Sequence, residues 1–151
     1  MTATTAMPST PAANADQAYQ HALQLTLQLA VRHHQENQLQ EAEQLYRSIL
    51  QGEPEHAEAN HNLGILLLEI EQPAALAHFE AALAAMPESE RYWLSYIEAL
   101  IRTGQSELAR DRLAFARQHG LEGDAADGLA DLLSAGQLAA GRPGAQRGLG
   151  A

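Results

Sequence analysis

Apolar residues recur at helical spacing along most of the chain. For example, Ala42, Leu45, Tyr46, Ile49 and Leu50 stand at positions i, i+3, i+4, i+7 and i+8, which places them on one face of a helix. No stretch of any length alternates apolar and polar residues, as a half-buried β-strand would. The pattern therefore predicts three pairs of helices followed by one terminal helix.

Residues that commonly begin or end helices separate the predicted segments. Gly52 and Pro54 end the second helix, and Pro73 fits the first turn of the fourth, where its missing N–H costs nothing. Ser89 suits the N-cap of the fifth helix, and Gly104 suits its C-terminal cap. The predicted helices span about residues 16–36, 39–51, 56–71, 73–86, 90–104, 107–119 and 123–134.

One segment of the chain recurs. The sequence AEQLYRSILQGEP at 42–54 returns as ALAHFEAALAAMP at 75–87 and, less well kept, as ARDRLAFA at 109–116. The leading alanines are 33 and then 34 residues apart. A recurrence near that period is typical of stacked helix pairs rather than of a single globular core. Such stacks usually offer a binding surface and not a catalytic pocket.

The repeats resemble the tetratricopeptide repeat (TPR), whose pattern is W-x2-L-G-x2-Y, then A-x3-F, then P. The matches in the first, middle and third repeats are Leu29-Ala30, Ala42-x3-Tyr46 and Pro54; Leu63-Gly64, Ala75-x3-Phe79 and Pro87; and Trp93 and Ala109-x3-Leu113. In the third repeat, Leu121 stands where the proline is expected. The resemblance implies an all-α fold: a short right-handed solenoid of three TPR-like helix pairs plus a C-terminal capping helix.

The predicted domain organisation follows from these repeats and from the composition of the two ends. We expect a TPR domain over 16–135, with repeats at about 16–54, 55–88 and 89–122 and the capping helix at 123–134. The Thr-, Ala-, Ser- and Pro-rich segment 1–15 is expected to be a disordered leader, and the Gly-rich segment 136–151 a flexible tail. The leader lacks the basic and apolar regions of a secretory signal.

Charge and composition exclude several classes of function. The chain has 19 acidic and 9 basic residues, a net charge of −10, and no basic stripe of the kind that neutralises phosphates. We therefore predict no nucleic-acid partner and no membrane partner. Its apolar runs are far shorter than the ~20 residues needed to cross a bilayer. The absence of cysteine rules out disulfides, which fits a cytoplasmic location.

Neither histidines nor carboxylates form a recognisable chemical motif. The seven histidines include no HExxH sequence and no pair at i, i+4, so we predict no metal site and expect them on polar surfaces. The many glutamates are expected to be solvated, because a catalytic pair needs a desolvated pocket. No catalytic residue, no cofactor and no enzymatic activity are predicted.

The TPR resemblance implies a ligand groove lined by the first helix of each pair. The implied groove residues are Gln28, His34, His61, Asn62, Ile65, Glu69, Arg91, Leu94, Ser95, Glu98 and Arg102. The same helix faces also carry Gln24, Leu27, Val31 and Glu58. Asn62 holds the position at which TPR superhelices use an asparagine amide to hold a ligand's backbone. With Arg91 and His61, it is predicted to orient the ligand.

The chain departs from the carboxylate clamp by which chaperone-binding TPR domains hold a C-terminal carboxylate. Asn62 and Arg91 match two of its five positions, but Leu27, Val31 and Ser95 stand at the others. These departures argue against chaperone tails as ligands. A groove with apolar content fits an amphipathic helix or a terminal helix of the chain itself.

Three functions remain open at the level of sequence. The first is a non-catalytic adaptor that binds a protein or peptide in its concave groove. The second is an accessory recognition subunit for a separate glycosyltransferase or other modifying enzyme. This one rests on a similarity to the Ala-rich, acidic TPR arms of bacterial O-GlcNAc-transferase-like proteins. The third is a structural homo-oligomer whose stack ends seal each other.

Overall fold

The computed structural model describes the backbone of residues 10–140 and the side chains of residues 10–137. Within that range the chain forms seven α-helices and no β-strand. The helices are α1 (Pro11–Gln35), α2 (Leu39–Gly52), α3 (Ala57–Glu69), α4 (Ala75–Ala85), α5 (Glu90–Arg102), α6 (Ser106–Gln118) and α7 (Asp124–Ala140). The prediction of three helix pairs and a terminal helix is confirmed.

Two predicted helix bounds, the start of α1 and the end of α7, are wrong by five or more residues, and several others differ by one or two. α1 begins at Pro11 rather than at residue 16, because proline is favoured at the first helical position and the alanines that follow are strong helix formers. α7 runs to Ala140 rather than to 134, so it enters the predicted tail. α4 begins at Ala75, and Pro73 lies in the turn before it. Of the predicted leader and tail, residues 1–9 and 141–151 lie outside the described residues.

Local capping accounts for several helix ends. The Ser89 hydroxyl accepts a hydrogen bond from the Tyr92 N–H at 3.4 Å, which confirms the predicted N-cap, and Gly104 has a positive φ of 80° after α5. His56 caps α3, since its Nδ1 accepts from the Ala59 N–H at 3.1 Å. Asn37 and Glu71 also take left-handed backbone, with φ of 59° and 56°. These turns reverse the chain between paired helices.

Small buried residues let the two helices of a pair approach each other closely. Gly64 lies so close to α4 that a Cβ at this position would stand 3.1 Å from the Phe79 ring. Ala30, Ala75 and Ala109 are also fully buried, as the repeat pattern predicts. Phe79 is 1% exposed, so its ring fills the space that the small residues leave open.

The first helices of the pairs lie closer together than the second helices do. α1 contacts α3, α3 contacts α5 and α5 contacts α7. Within residues 10–140, by contrast, no Cα atom of α2 lies within 8 Å of a Cα atom of α4, and the same holds for α4 and α6. A stack whose first helices are closer together curves toward them. The row of α1, α3 and α5 is therefore the concave side, and we call it the groove face.

The last helix covers the end of the stack. α7 packs against both α5 and α6, and it buries Ala126, Leu129 and Leu133. No helix in the described range is both long enough and apolar enough to cross a membrane.

Candidate functional site

A cavity of about 380 Å³ lies on the groove face. Residues of α1, α2, α3 and α5 line it: Val31, His34, Gln35, Tyr46, Glu58, Asn62, Glu69 and Arg91. We call it the central cavity. It draws on all three helix pairs, because α3 stands between α1 and α5 in the row of first helices.

One wall of the central cavity is a polar link between α1 and α3. His34 Nε2 lies 2.9 Å from Glu69 Oε2. The His34 ring also stands edge-on to the Tyr46 ring, with centroids 6.3 Å apart. These two contacts hold His34 between its carboxylate partner and the floor of the cavity.

The opposite wall carries Asn62 and Arg91. Asn62 is only 7% exposed, and its Oδ1 lies 3.3 Å from His61 Nδ1, which leaves the amide nitrogen free to donate. Arg91 is exposed and forms no ion pair with any residue in 10–137. An amide donor and an uncommitted guanidinium therefore meet at this wall.

Tyr46 forms the floor of the central cavity. Its side chain is 0% exposed, yet within the described part of the chain its hydroxyl has no hydrogen-bond partner. Burial, and next the carboxylates of Glu58 and Glu69, raise the pKa of Tyr46 to about 12. The hydroxyl therefore stays protonated and lies in a locally negative environment.

His61 is not a groove-surface residue, contrary to the prediction. It is 1% exposed and stacks on Tyr92 with ring centroids 4.6 Å apart. Because the Asn62 carbonyl oxygen can only accept, His61 Nδ1 carries the proton. Its Nε2, 2.8 Å from Ser95 Oγ, then accepts from that hydroxyl.

The buried His61 is a neutral packing residue. Burial, and next the charge of Arg91, lower the pKa of His61 to about 4. His61 therefore helps to position Asn62 and Ser95 and does not line the central cavity. The expectation that the histidines lie on polar surfaces is wrong at this position.

The structure places the other predicted groove residues outside the central cavity. Ile65, Leu94 and Ser95 are half-buried, while Gln28, Glu98 and Arg102 are exposed. Arg102 lines a separate cavity at the ends of α3 and α5. They extend the groove face without joining the central cavity.

Two residues of the cavity wall were absent from the sequence-based set. Gln35 is the last residue of α1. The predicted groove residues of this helix ended one position earlier, at His34. Tyr46 was interpreted only as a packing residue of the repeat. No signal in the sequence marks the position of its hydroxyl.

Another cavity, of about 320 Å³, lies at the turn between α4 and α5 and the end of α6. Trp93 lines it, and its indole N–H already donates to the Pro87 carbonyl at 2.8 Å. The His119 ring stacks on Phe115 at 4.2 Å. The indole N–H of Trp93 and the His119 ring thus already have partners within the protein.

No arrangement for metal binding is present in the described range. Within residues 10–137, no three His, Cys, Asp or Glu side chains are grouped so that they could hold a metal ion.

Comparison with known proteins identifies the fold. Neither a protein-family model nor a curated protein sequence matches the chain. Among solved structures, the chain is similar to the first TPR of Spaghetti (RPAP3) bound to the HSP90 peptide SRMEEVD. The TM-score is 0.69 at 11% sequence identity, over 77% of this chain and 93% of that one. The chain therefore has the fold of a short helical-repeat solenoid with TPR-like helix pairs.

Proposed function

We propose that this chain is a non-catalytic protein-interaction module that binds a peptide or a helical segment along its groove face. The observation that carries the proposal is the central cavity on the concave side. Within residues 10–137, neither the Asn62 amide nitrogen nor the Arg91 guanidinium forms a side-chain hydrogen bond or ion pair. The similar RPAP3 domain is described as bound to a peptide, which supports a peptide as the class of ligand here.

The mechanism combines apolar burial with a few orienting hydrogen bonds. Val31, Ile65 and Leu94 are half-buried along the groove face and offer apolar surface to a ligand, worth about 25 cal/mol per Å² buried. The Asn62 amide nitrogen donates to a backbone carbonyl of the ligand, and Arg91 donates to a second acceptor. Such hydrogen bonds select an orientation more than they add affinity.

The ligand is not expected to be a chaperone C-terminal tail. Leu27 is 8% exposed and has no polar group, and Val31 offers only methyl groups. The Ser95 hydroxyl is already 2.8 Å from His61 Nε2. Three positions of the clamp are therefore unable to hold a carboxylate.

The test is a paired substitution, Asn62→Ala with Arg91→Ala, in the tagged full chain. Partners are first captured by affinity purification and identified by mass spectrometry, and the affinity of one partner is then measured by calorimetry. We expect binding to weaken by about 2 kcal/mol, roughly 30-fold, because one neutral and one charged hydrogen bond are lost. Helicity measured by circular dichroism should stay unchanged, since Arg91 is exposed.

A matched control removes the same kinds of side chain from α2. Gln44 and Arg47 are exposed and do not line the central cavity, so Gln44→Ala with Arg47→Ala should bind the partner normally. Equal affinity of all three proteins would place the binding site elsewhere and would refute the groove.

A structural homo-oligomer is the second candidate. It is favoured by apolar side chains on α1 that lack cover: Tyr19, Leu25 and Leu29 are 44%, 52% and 42% exposed. Light scattering over a range of concentrations distinguishes it from an adaptor. A single-chain mass at every concentration contradicts it.

Two narrower expectations belong with the adaptor. If the chain serves a separate glycosyltransferase or other modifying enzyme, which is one of the functions that the sequence leaves open, such an enzyme should be among the purified partners. A cytoplasmic location is checked by cell fractionation.

A further inference from the structure

The Tyr46 hydroxyl is a buried polar group without a partner. The side chain is 0% exposed, and within residues 10–137 no atom accepts from or donates to its hydroxyl. The great majority of buried polar groups in proteins are hydrogen-bonded, so each exception needs an explanation. Tyr46 lines the central cavity, so a ligand group that enters the cavity and displaces the side chains covering this hydroxyl can supply the missing partner.

The charges around the central cavity are mainly acidic. Glu58 and Glu69 both line it, and both act on the Tyr46 hydroxyl electrostatically. Glu69 is already 2.9 Å from His34, whereas Glu58 pairs with no residue in the described range. The opposing charge is Arg91, on the α5 side. The Glu58 carboxylate is therefore an acceptor that still lacks a cation.

We propose that the central cavity binds the basic side chain of a lysine or arginine in the peptide partner, with the Tyr46 hydroxyl and the Glu58 carboxylate as its acceptors. The inference rests on the proposed function, because it specifies which side chain the bound peptide inserts. Arg91 and Asn62 then contact the peptide backbone and not the cationic group.

The chemistry of the side chains that line the central cavity fits a lysine or arginine side chain. An ammonium or guanidinium group has several donors and no acceptor, so it satisfies a phenol oxygen and a carboxylate at once. Val31 provides an apolar surface for the methylene stem, along which long basic side chains pack. A volume of about 380 Å³ accommodates such a side chain. An acidic ligand group would instead face two carboxylates and one guanidinium.

The experiment selects ligands without assuming the natural partner. A phage-displayed library of random 12-residue peptides is panned against the full-length protein. We expect the enriched peptides to share one lysine or arginine position, and replacing that residue with methionine should weaken binding at least tenfold. Glu58→Gln should weaken the basic peptide tenfold and leave the methionine version unaffected.

Tyr46→Phe provides a second readout that a purely structural hydroxyl would not give. We expect the basic peptide to bind about fivefold more weakly, the methionine peptide to bind equally, and the melting temperature to stay equal or rise. The rise is expected because the substitution removes a polar atom that is unpaired in the free protein. Glu41→Gln is the matched control, since Glu41 is exposed on α2 and outside the cavity.

The outcomes separate this inference from the proposed function. Enriched peptides without a shared basic residue, or with a shared acidic one, overturn the inference alone. A lower melting temperature of Tyr46→Phe with unchanged binding also overturns it, because the hydroxyl would then serve only the fold. If no peptide is enriched, or Asn62→Ala with Arg91→Ala changes no affinity, the proposed function itself fails.

Discussion

At the scale of single residues, His61 shows how burial changes the role of a polar side chain. Its ring lies between Tyr92 and Phe79, at centroid distances of 4.6 and 5.9 Å. Both ring nitrogens have partners, Asn62 and Ser95, so the neutral form is satisfied. Protonation would place a charge inside the core near Arg91. The neutral state of His61 is therefore a condition of the fold.

This condition predicts a loss of stability in mild acid. The pKa of His61 is about 4 when folded and about 6.5 when unfolded, so between those values the unfolded chain binds more protons. The stabilisation is complete above pH 6.5 and is lost as the pH falls toward 4. Between pH 7.5 and 5 we expect a loss of about 2 kcal/mol from this residue. Burial also lowers the pKa of His78, which acts in the same direction.

Urea denaturation at several pH values between 7.5 and 5 measures the effect. His61→Gln should be less stable at neutral pH but should lose less stability on acidification than the wild type. The exposed His21→Gln serves as a control for the number of histidines. An unchanged pH dependence in His61→Gln would show that His61 is not the group responsible.

At the scale of helices, Gly64 lets α3 and α4 pack closely against each other. Gly64 gives up about 1 kcal/mol of helix propensity relative to alanine. In return, the Phe79 ring packs directly over the backbone, where a Cβ would stand 3.1 to 3.2 Å from three of its atoms. Phe79 is 1% exposed and has little room to move. The contact explains why a glycine stands in the middle of a helix.

Gly64→Ala therefore should not stabilise the protein. Overpacking typically costs about 1–3 kcal/mol, so after the propensity gain we expect a net loss of about 1 kcal/mol in urea denaturation. Gly128→Ala is the matched control, because Gly128 lies inside α7 with nothing within 4 Å of its Cβ position. It should stabilise by about 0.5–1 kcal/mol. Equal stabilisation by both substitutions would contradict the close contact.

At the scale of the whole molecule, curvature and end-capping make one surface available for binding. In the described range, Cα atoms of successive first helices lie within 8 Å of one another, whereas those of successive second helices do not. The concave side therefore gathers residues from all three pairs. The packing of α7 against α5 and α6 covers apolar surface that a stack end would otherwise expose. The groove face depends on both features.

The contribution of α7 is tested by comparing neighbouring leucines. Leu129 and Leu133 are 8% and 4% exposed, whereas Leu132 is 60% exposed. We expect Leu129→Ala and Leu133→Ala each to cost about 2–3 kcal/mol and Leu132→Ala to stay within about 0.5 kcal/mol. Thermal and urea unfolding measure these values. Equal costs at all three positions would mean that α7 does not seal the stack.

The predictable part of the fold is the part that local chemistry controls. Apolar spacing identified all seven helices, and the roles of Ser89 and Gly104 followed from capping preferences. The start of α1 was misplaced because proline and alanine in the segment 1–15 were interpreted as a disordered leader. The same residues are also compatible with the first turns of a helix.

The candidate site was less predictable. Repeat positions place His34, Asn62, Glu69 and Arg91 on first helices, and the structure brings these four to one cavity. That they contact a ligand stays a prediction. The prediction for His61 was wrong because His61 is next to Asn62 in the sequence but about 100° away from it around the helix. The two side chains therefore face different surroundings. Whether such a position is open or sealed depends on Tyr92 of the next pair.

By itself, the sequence determined the helices and their pairing, because periodicity and capping act over a few residues. Only the tertiary structure decided which polar groups are buried, which are paired and which remain without a partner. His61 became a neutral packing residue and the Tyr46 hydroxyl an unpaired group at the floor of the central cavity. The reason is that burial and hydrogen bonding at both residues depend on side chains from other helices.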